Sequence, residues 1–260
     1  MPDILIRRDG AVGHVVISNP DKLNAMTAQM WQTLPQRIAE LDADPAVHAI
    51  VLVGEGDKAF VSGGDISKFG AERADTASQQ VYGDAVEAAY MALVCAGKPV
   101  IAQIRGICMG GGLGLAAACD IRICSDDARF CMPPGRLGLG YEPTGVGRFV
   151  SLIGVQSTFD IFLTARVFDA AEALRIGFIS RVTAPPQLDE QVRALASAIA
   201  GNAPMTARAV KLAIRAHVGG ISKGDPAAAV AAADACNASE DYREGVRAFG
   251  EKRSPAFKGR

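Results

Sequence analysis

The stretch GICMGGGLGLAAACD, Gly106–Asp120, decides how this chain is read. It sets Gly110, Gly111 and Gly112 in a row, adds Gly114, and runs on into an alanine tract. KPVIAQIRG, Lys98–Gly106, leads into it and reads as a buried strand with Pro99 at its start, and DIRICS, Asp120–Ser125, follows as another. A strand that passes through glycines into a helix leaves the first N–H groups of that helix without internal partners. The helix dipole makes this end partly positive, and glycine lets another molecule approach the backbone. Three uses fit such a stretch. One is a phosphate cradle, since Gly112–Ala117 matches G-x-G-x-x-A. Another is an oxyanion hole that stabilises a developing enolate or alkoxide. The third is close helix–strand packing with no ligand at all. The nucleotide use is weakened by position: the motif lies mid-chain, and Asp120 falls well short of the ribose acid expected about 20 residues on.

Outward from this point the pattern alternates. HVVIS (His14–Ser18) and HAIVLVG (His48–Gly54) are strand-like runs, and Thr27–Asp42 between them reads as a helix capped by Thr27, with Pro35 as an expected kink or break. A long glycine-bearing loop spans Gly54–Ser78, a length that favours a functional role. Thr76–Val94 reads as a second helix. Alternation of this kind predicts an α/β fold with largely parallel pairing. Asp169–Arg175 is a short helix that Asp169 caps and Gly177 ends, and FISRV (Phe178–Val182) is the last expected strand. Beyond it helices are expected over Leu188–Ala200, Ala203–His217 and Ala227–Phe249. The chain is thus divided near residue 200 into an α/β core, 1–200, and a helical region for assembly, 201–260.

Composition bounds the function. Across 260 residues the net charge is −1, which argues against a broad electrostatic attraction to nucleic acid. No window approaches the roughly 20 uninterrupted apolar residues of a membrane span, and the N-terminus has no signal-peptide pattern. The six cysteines lack paired C-x-x-C spacing and lie mostly in apolar strings. They read as buried reduced thiols, not zinc ligands or disulfides, and imply a cytoplasmic location.

A second glycine cluster, KAFVSGGDIS (Lys58–Ser67), also ends a strand-like run. An oxyanion hole needs two converging donors, and two separated glycine loops supply one each. With NPDKLNAM (Asn19–Met26), the Lys98–Phe130 segment around the triple glycine, LGLGY (Leu137–Tyr141), FDAAEALRIGFISRV (Phe168–Val182) and REGVRAFGEKRSPAFKG (Arg243–Gly259), this cluster makes the chain resemble the enoyl-CoA hydratase/isomerase (crotonase) family from about Ile4 to Lys258. No single piece is specific; their order and spacing are.

The resemblance implies a crotonase-type ββα spiral core with a C-terminal helical oligomerisation region. It implies an acyl-CoA thioester as substrate, coenzyme A being part of that substrate and no separate cofactor being needed. The enolate oxygen would be held by the backbone N–H groups of Gly64 and Gly111. Asp65 matches the family's loop aspartate, read first as a loop organiser, and Ile66 follows it in the CoA-binding segment. Lys22 matches a basic residue that often faces a CoA phosphate, with a solvated lysine as the other reading. Phe257 and Lys258 match a C-terminal pair that reaches CoA on an adjacent subunit, which implies a homotrimer or a hexamer built as a dimer of trimers.

The chain departs from the family where the chemistry is done. Hydratases use two glutamates to add water across the α,β double bond, and the matching positions here hold Gly114 and Pro134. Neither can move a proton, so water activation of the usual kind is absent. Glu142, in LGLGYEPTG, is the nearby carboxylate offered as general acid or base; burial beside apolar groups would raise its pKa toward a useful range. It also suits a helix start, where acids are favoured electrostatically. Its neighbour Tyr141 could orient an intermediate or serve packing. Asp120 is read as closing the preceding helix. Two functions stay open: an enzyme with displaced acid/base groups, acting as hydratase variant, isomerase, decarboxylase or thioester hydrolase, and an acyl-CoA-binding protein without turnover.

Overall fold

Alternating apolar side chains build the main sheet. In the computed structural model, which describes residues 1–69, 75–218 and 225–260, strands β1 (Asp3–Asp9), β2 (Val12–Ser18), β3 (Ala49–Gly54), β5 (Val100–Ile104), β7 (Ile121–Ser125) and β10 (Arg181–Thr183) lie in the order β1-β2-β3-β5-β7-β10. All neighbours are parallel except the β1–β2 hairpin. Successive residues face opposite sides of a strand. Ile50 and Leu52 therefore join Val100 and Ala102 in the main core, while Val51, Ile101 and Ile123 face the other way. That second face is covered by Leu188, Val192 and Ala196, one stripe of helix α7 (Leu188–Ala200). Helix α1 (Ala28–Ala43) packs on the first face through Trp31, Leu34, Ile38 and Leu41.

A smaller sheet, β4 (Ala59–Val61), β6 (Ile107–Met109), β8 (Arg129–Cys131) and β9 (Val167–Asp169), is parallel up to its antiparallel β8–β9 edge. Helix α2 (Thr76–Cys95) precedes β5, and α3 (Gly111–Ala118) follows β6. Then come α4 (Pro134–Leu137), α5 (Pro143–Thr164) and α6 (Ala170–Arg175). The long loop expected over 54–78 holds β4 and a tight turn at Ile66–Lys68; its residues 70–74 lie outside those described.

Several expectations change. Pro35 does not break α1, whose N-cap is Thr27, its side chain accepting from Met30 N at 3.3 Å. A proline inside a helix costs about 3 kcal/mol, and the buried stripe of α1 offsets it. FISRV is a strand only from Arg181; Phe178 and Ile179 turn back instead, donating to the Ala173 carbonyl. Helix α5 has the length and hydropathy of a membrane span. Gly154 (φ 74°) breaks its helical backbone, and Phe149, Ile153 and Ile161 are buried in the protein core. All six cysteines are free thiols, but Cys95 is exposed. Asp120 does not close α3. Its carboxylate accepts from Val100 N at 2.7 Å and from Lys211 Nζ at 2.6 Å, tying β5 to helix α8 (Pro204–His217).

The helix expected over Ala227–Phe249 is two helices, α9 (Pro226–Ala238) and α10 (Glu240–Glu251). Ser239 adopts extended backbone between them and caps α10, its hydroxyl accepting from Tyr242 N at 3.0 Å. The tail then folds back on α10. The buried Asp241 carboxylate accepts from Lys258 N at 2.7 Å and Gly259 N at 2.8 Å. Arg253, bonded to Glu244, holds that carboxyl well below the usual range. Hydrogen bonds to a charged group contribute about 1.5–3 kcal/mol each. Asp241→Ala is therefore expected to open the tail and speed tryptic cleavage after Lys258 at least about tenfold; equal cleavage rates would refute this anchoring.

Candidate active site

The two glycine loops of the sequence meet. The first follows β4 as Ser62-Gly63-Gly64, the second joins β6 to α3 as Gly110-Gly111. A methyl group built on Gly63 would lie 3.8 Å from the Gly111 nitrogen, and one on Gly110 3.9 Å from Gly63 Cα. Gly110, at φ 50° and ψ −117°, makes the turn that starts the helix, a conformation open to glycine. The first loop is pinned from the other side, because Met26 N donates to Gly63 O and Asp65 N donates to Met26 O, each at 2.8 Å. In this pattern the Gly64 N–H points away from Met26. Gly111 is the first residue of α3, where no intrahelical acceptor exists. Among the described residues neither N–H donates to a protein acceptor.

Both loops line a cavity of about 530 Å³, together with one face of α2 and the segment from Met132 to Gly145. Four of the five glycines of the starting stretch divide between two tasks. Gly110 and Gly111 border the cavity. Gly112 and Gly114 are buried and serve packing: a methyl on Gly112 would lie 2.1 Å from Val61 O, and one on Gly114 2.4 Å from Tyr90 Oη. The G-x-G-x-x-A match is thus helix–strand packing. The space that a side chain at Gly114 would need holds a tyrosine instead.

That tyrosine was not singled out in the sequence. Tyr90 is buried, donates its hydroxyl to Gly111 O at 3.2 Å and stands edge-on to Trp31. Trp31 Nε1 in turn donates to Tyr82 Oη at 2.9 Å. The Arg148 guanidinium lies 5.3 Å from the centre of the Tyr90 ring, a cation–π contact, and bonds Glu87 Oε1 at 2.6 Å. Arg148 is 2% exposed, so Glu87 supplies the countercharge that its burial requires. Burial raises the Tyr90 hydroxyl well above the usual range and pushes Tyr141 up to about 12, so both stay protonated at neutral pH. Glu87 lines the cavity and is a second carboxylate that the sequence reading missed. Periodicity was the available signal: Gly83, Glu87 and Tyr90 share one face of α2, but only the fold shows that this face is the cavity wall.

The other expected residues divide. Glu142 lines the cavity but is exposed, standing at the N-cap of α5 with no side-chain capping bond. The expected burial beside apolar groups is therefore absent; the helix-start position is the one observed. Pro134 opens α4 and lines the cavity. Asp65 is buried and organises its loop, its carboxylate accepting from Ser67 N at 3.2 Å and from Lys22 Nζ at 3.0 Å. Those bonds outweigh the effect of burial and hold it below its usual pKa. The Lys22 ammonium also reaches Ser67 Oγ at 2.7 Å, so it is paired within the protein and not merely solvated. Ile66 is exposed at the cavity rim. Phe257 and Lys258 do not line this cavity. Phe257 borders a second, apolar cleft of about 730 Å³ among α8, α9 and α10, and Lys258 is exposed.

Comparison with known proteins agrees with this architecture. The model of the enoyl-CoA hydratase/isomerase family matches residues 7–260. A short-chain-enoyl-CoA hydratase from Clostridium acetobutylicum is 34% identical, the alignment covering 99% of this chain and 98% of the relative. A peroxisomal Δ3,5-Δ2,4-dienoyl-CoA isomerase from Arabidopsis thaliana is 32% identical, covering 96% and 93%. The crystal structure of an enoyl-CoA hydratase/isomerase family protein from Hyphomonas neptunium superposes with a TM-score of 0.93 at 35% identity, covering 100% of this chain and 98% of that one. Full-length likeness in sequence and in fold makes this chain an enzyme of the enoyl-CoA hydratase/isomerase (crotonase) family.

Proposed function

We propose that the enzyme binds an acyl-CoA thioester and stabilises its enolate through the Gly64 and Gly111 N–H groups, with acid/base chemistry displaced from the two hydratase positions. The observation that carries this reading is the approach of the two glycine loops in the wall of one cavity, each with an N–H that no acceptor among the described residues uses. Gly114 and Pro134 bring no titratable group to that cavity. Glu142, at its wall, is the acid/base candidate; Glu87 is tied to Arg148 and less available to move a proton. The reaction class that follows is an isomerisation, decarboxylation, thioester hydrolysis or variant hydration.

The test is a panel of acyl-CoA substrates, crotonyl-CoA included, turned over by the wild type and by Glu142→Gln and Glu87→Gln. A positioned general acid or base contributes about 10²–10⁴-fold. Glu142→Gln is expected to lose kcat on that scale, and Glu87→Gln less. Full turnover in Glu142→Gln with loss in Glu87→Gln would move the role to Glu87. Acyl-CoA binding with no turnover anywhere on the panel would leave a binding protein.

The assembly reading rests on the second cleft. Val210, Val246 and Phe249 are exposed apolar residues on α8 and α10 that line it, and Phe257 borders the same cleft. Continuous apolar surface of this kind favours association. A homotrimer or dimer of trimers is the proposed state, and light scattering after size exclusion reads it directly.

A further inference from the structure

Side chains from two helices stand against both loops of the proposed oxyanion hole. Trp31, on α1, is buried, and a methyl group built on Gly111 would lie 2.9 Å from its Cζ2. Its Nε1–H donates to Tyr82 Oη, on α2, at 2.9 Å. A methyl on Gly64 would lie 2.7 Å from that same hydroxyl oxygen. One hydrogen bond thus joins a side chain in contact with Gly111 to a side chain in contact with Gly64.

Each end of this bridge is held in place. Trp31 stands edge-on to Tyr90 at 5.8 Å between centroids, and Tyr90 donates to Gly111 O at 3.2 Å. Tyr82 stands edge-on to Phe69 at 5.7 Å. Trp31, Tyr82 and Tyr90 are buried and line the cavity beside the glycines. Spacing matters here, because oxyanion donors act only within about 2.7–3.1 Å of the oxygen they stabilise. A misplacement of about 1 Å can cost about 10²-fold in rate.

We infer that Trp31 and Tyr82 are positioning residues whose hydrogen bond fixes the spacing of the Gly64 and Gly111 N–H groups, and with it the polarisation of a bound thioester carbonyl. The inference rests on the oxyanion-hole reading above and adds to it the device that sets the width of the hole. Both side chains act through the glycine backbone and move no proton. Simple packing would need the two rings but not the bond between them.

The test is isotope-edited infrared spectroscopy of butyryl-CoA, labelled at its thioester carbonyl, bound to the whole enzyme. Wild type, Tyr82→Phe and Trp31→Phe are compared, with a thermal melt of each. Tyr82→Phe keeps the ring and removes only the hydroxyl, so it carries the test if Trp31→Phe does not fold. Binding to the wild type is expected to lower the carbonyl stretch, and at least half of that shift to be lost in the variants. On an acyl-CoA that the wild type turns over, kcat is expected to fall about tenfold or more with KM within about twofold. A folded Tyr82→Phe protein with the full wild-type shift would overturn the positioning role and leave the oxyanion hole standing. Butyryl-CoA bound to the wild type with no shift would sink the hole as well, and no binding would sink the acyl-CoA reading.

Discussion

Gly112→Ala is expected to lower the melting temperature by about 6–12 °C, the largest stability loss of any conservative change near the site. The added carbon would lie 2.1 Å from Val61 O, 2.7 Å from Val61 Cβ and 2.9 Å from Val61 C. Overpacking usually costs about 1–3 kcal/mol because side chains can shift. Here the nearest obstacle is the backbone of β4, held to β6 by the parallel ladder, so the cost lies at the upper end. At about 2–4 °C per kcal/mol for a chain of this size, that gives the stated shift. The catalytic consequence is larger than the stability figure implies. Val61 immediately precedes Ser62-Gly63-Gly64, and pushing β4 away from α3 separates the two N–H groups of the proposed oxyanion hole. Gly83→Ala supplies the contrast. It lies within α2 with nothing within 4 Å of the new carbon, and helix propensity alone predicts a gain of about 0.5–1 kcal/mol. Differential scanning calorimetry of both variants checks the pair; a Gly112→Ala protein that melts with the wild type would show that β4 and α3 separate without strain.

Such close packing explains what the sequence makes legible. Strands β2, β3, β5 and β7 stand out as β-branched runs because they are buried on both faces. The caps Thr27 and Asp169 are visible because capping needs particular side chains at particular offsets. The two glycine loops are visible because few other residues permit such approaches. Elements stabilised mainly by their neighbours are not visible in the same way. Strand β1 carries Arg7 and Arg8 on a largely exposed edge, and β8 and β9 are three residues each. The break at Ser239 is hidden within an alanine-rich helical pattern, since a serine also fits a helix interior.

The site divides along the same line. Gly64, Gly111, Ile66 and Glu142 are legible and line one cavity. The residues that pack around Gly114 and Arg148 are not. Tyr90 fills the space beside Gly114 from a helix 24 positions upstream, and Glu87 neutralises an arginine 61 positions away. A glycine can be read from one position in a chain. The side chain that fills the space beside it comes from wherever the fold leaves room.

The N–H of Gly111 can be tested by removing it without removing the residue. Proline lacks the donor and is tolerated at the first position of a helix, the position Gly111 holds in α3. The obstacle is steric, since any β carbon at this position would lie 2.9 Å from Trp31 Cζ2 and 3.1 Å from Cη2. Alanine brings the same carbon and keeps the N–H. Strain against Trp31 is therefore common to Gly111→Ala and Gly111→Pro, and the difference between them reports chiefly the donor. Loss of one oxyanion-hole donor costs about 10²–10³ in kcat, equivalent to about 2.7–4 kcal/mol. The proline variant is expected to fall below the alanine variant by that factor on whichever acyl-CoA the wild type turns over, with melting temperatures close enough to compare. The effect should fall on kcat more than on KM, because the charge on the thioester oxygen develops only as the enolate forms. Two variants equally impaired, within about threefold, would mean that the Gly111 N–H does not meet that oxygen and that the glycines serve packing alone.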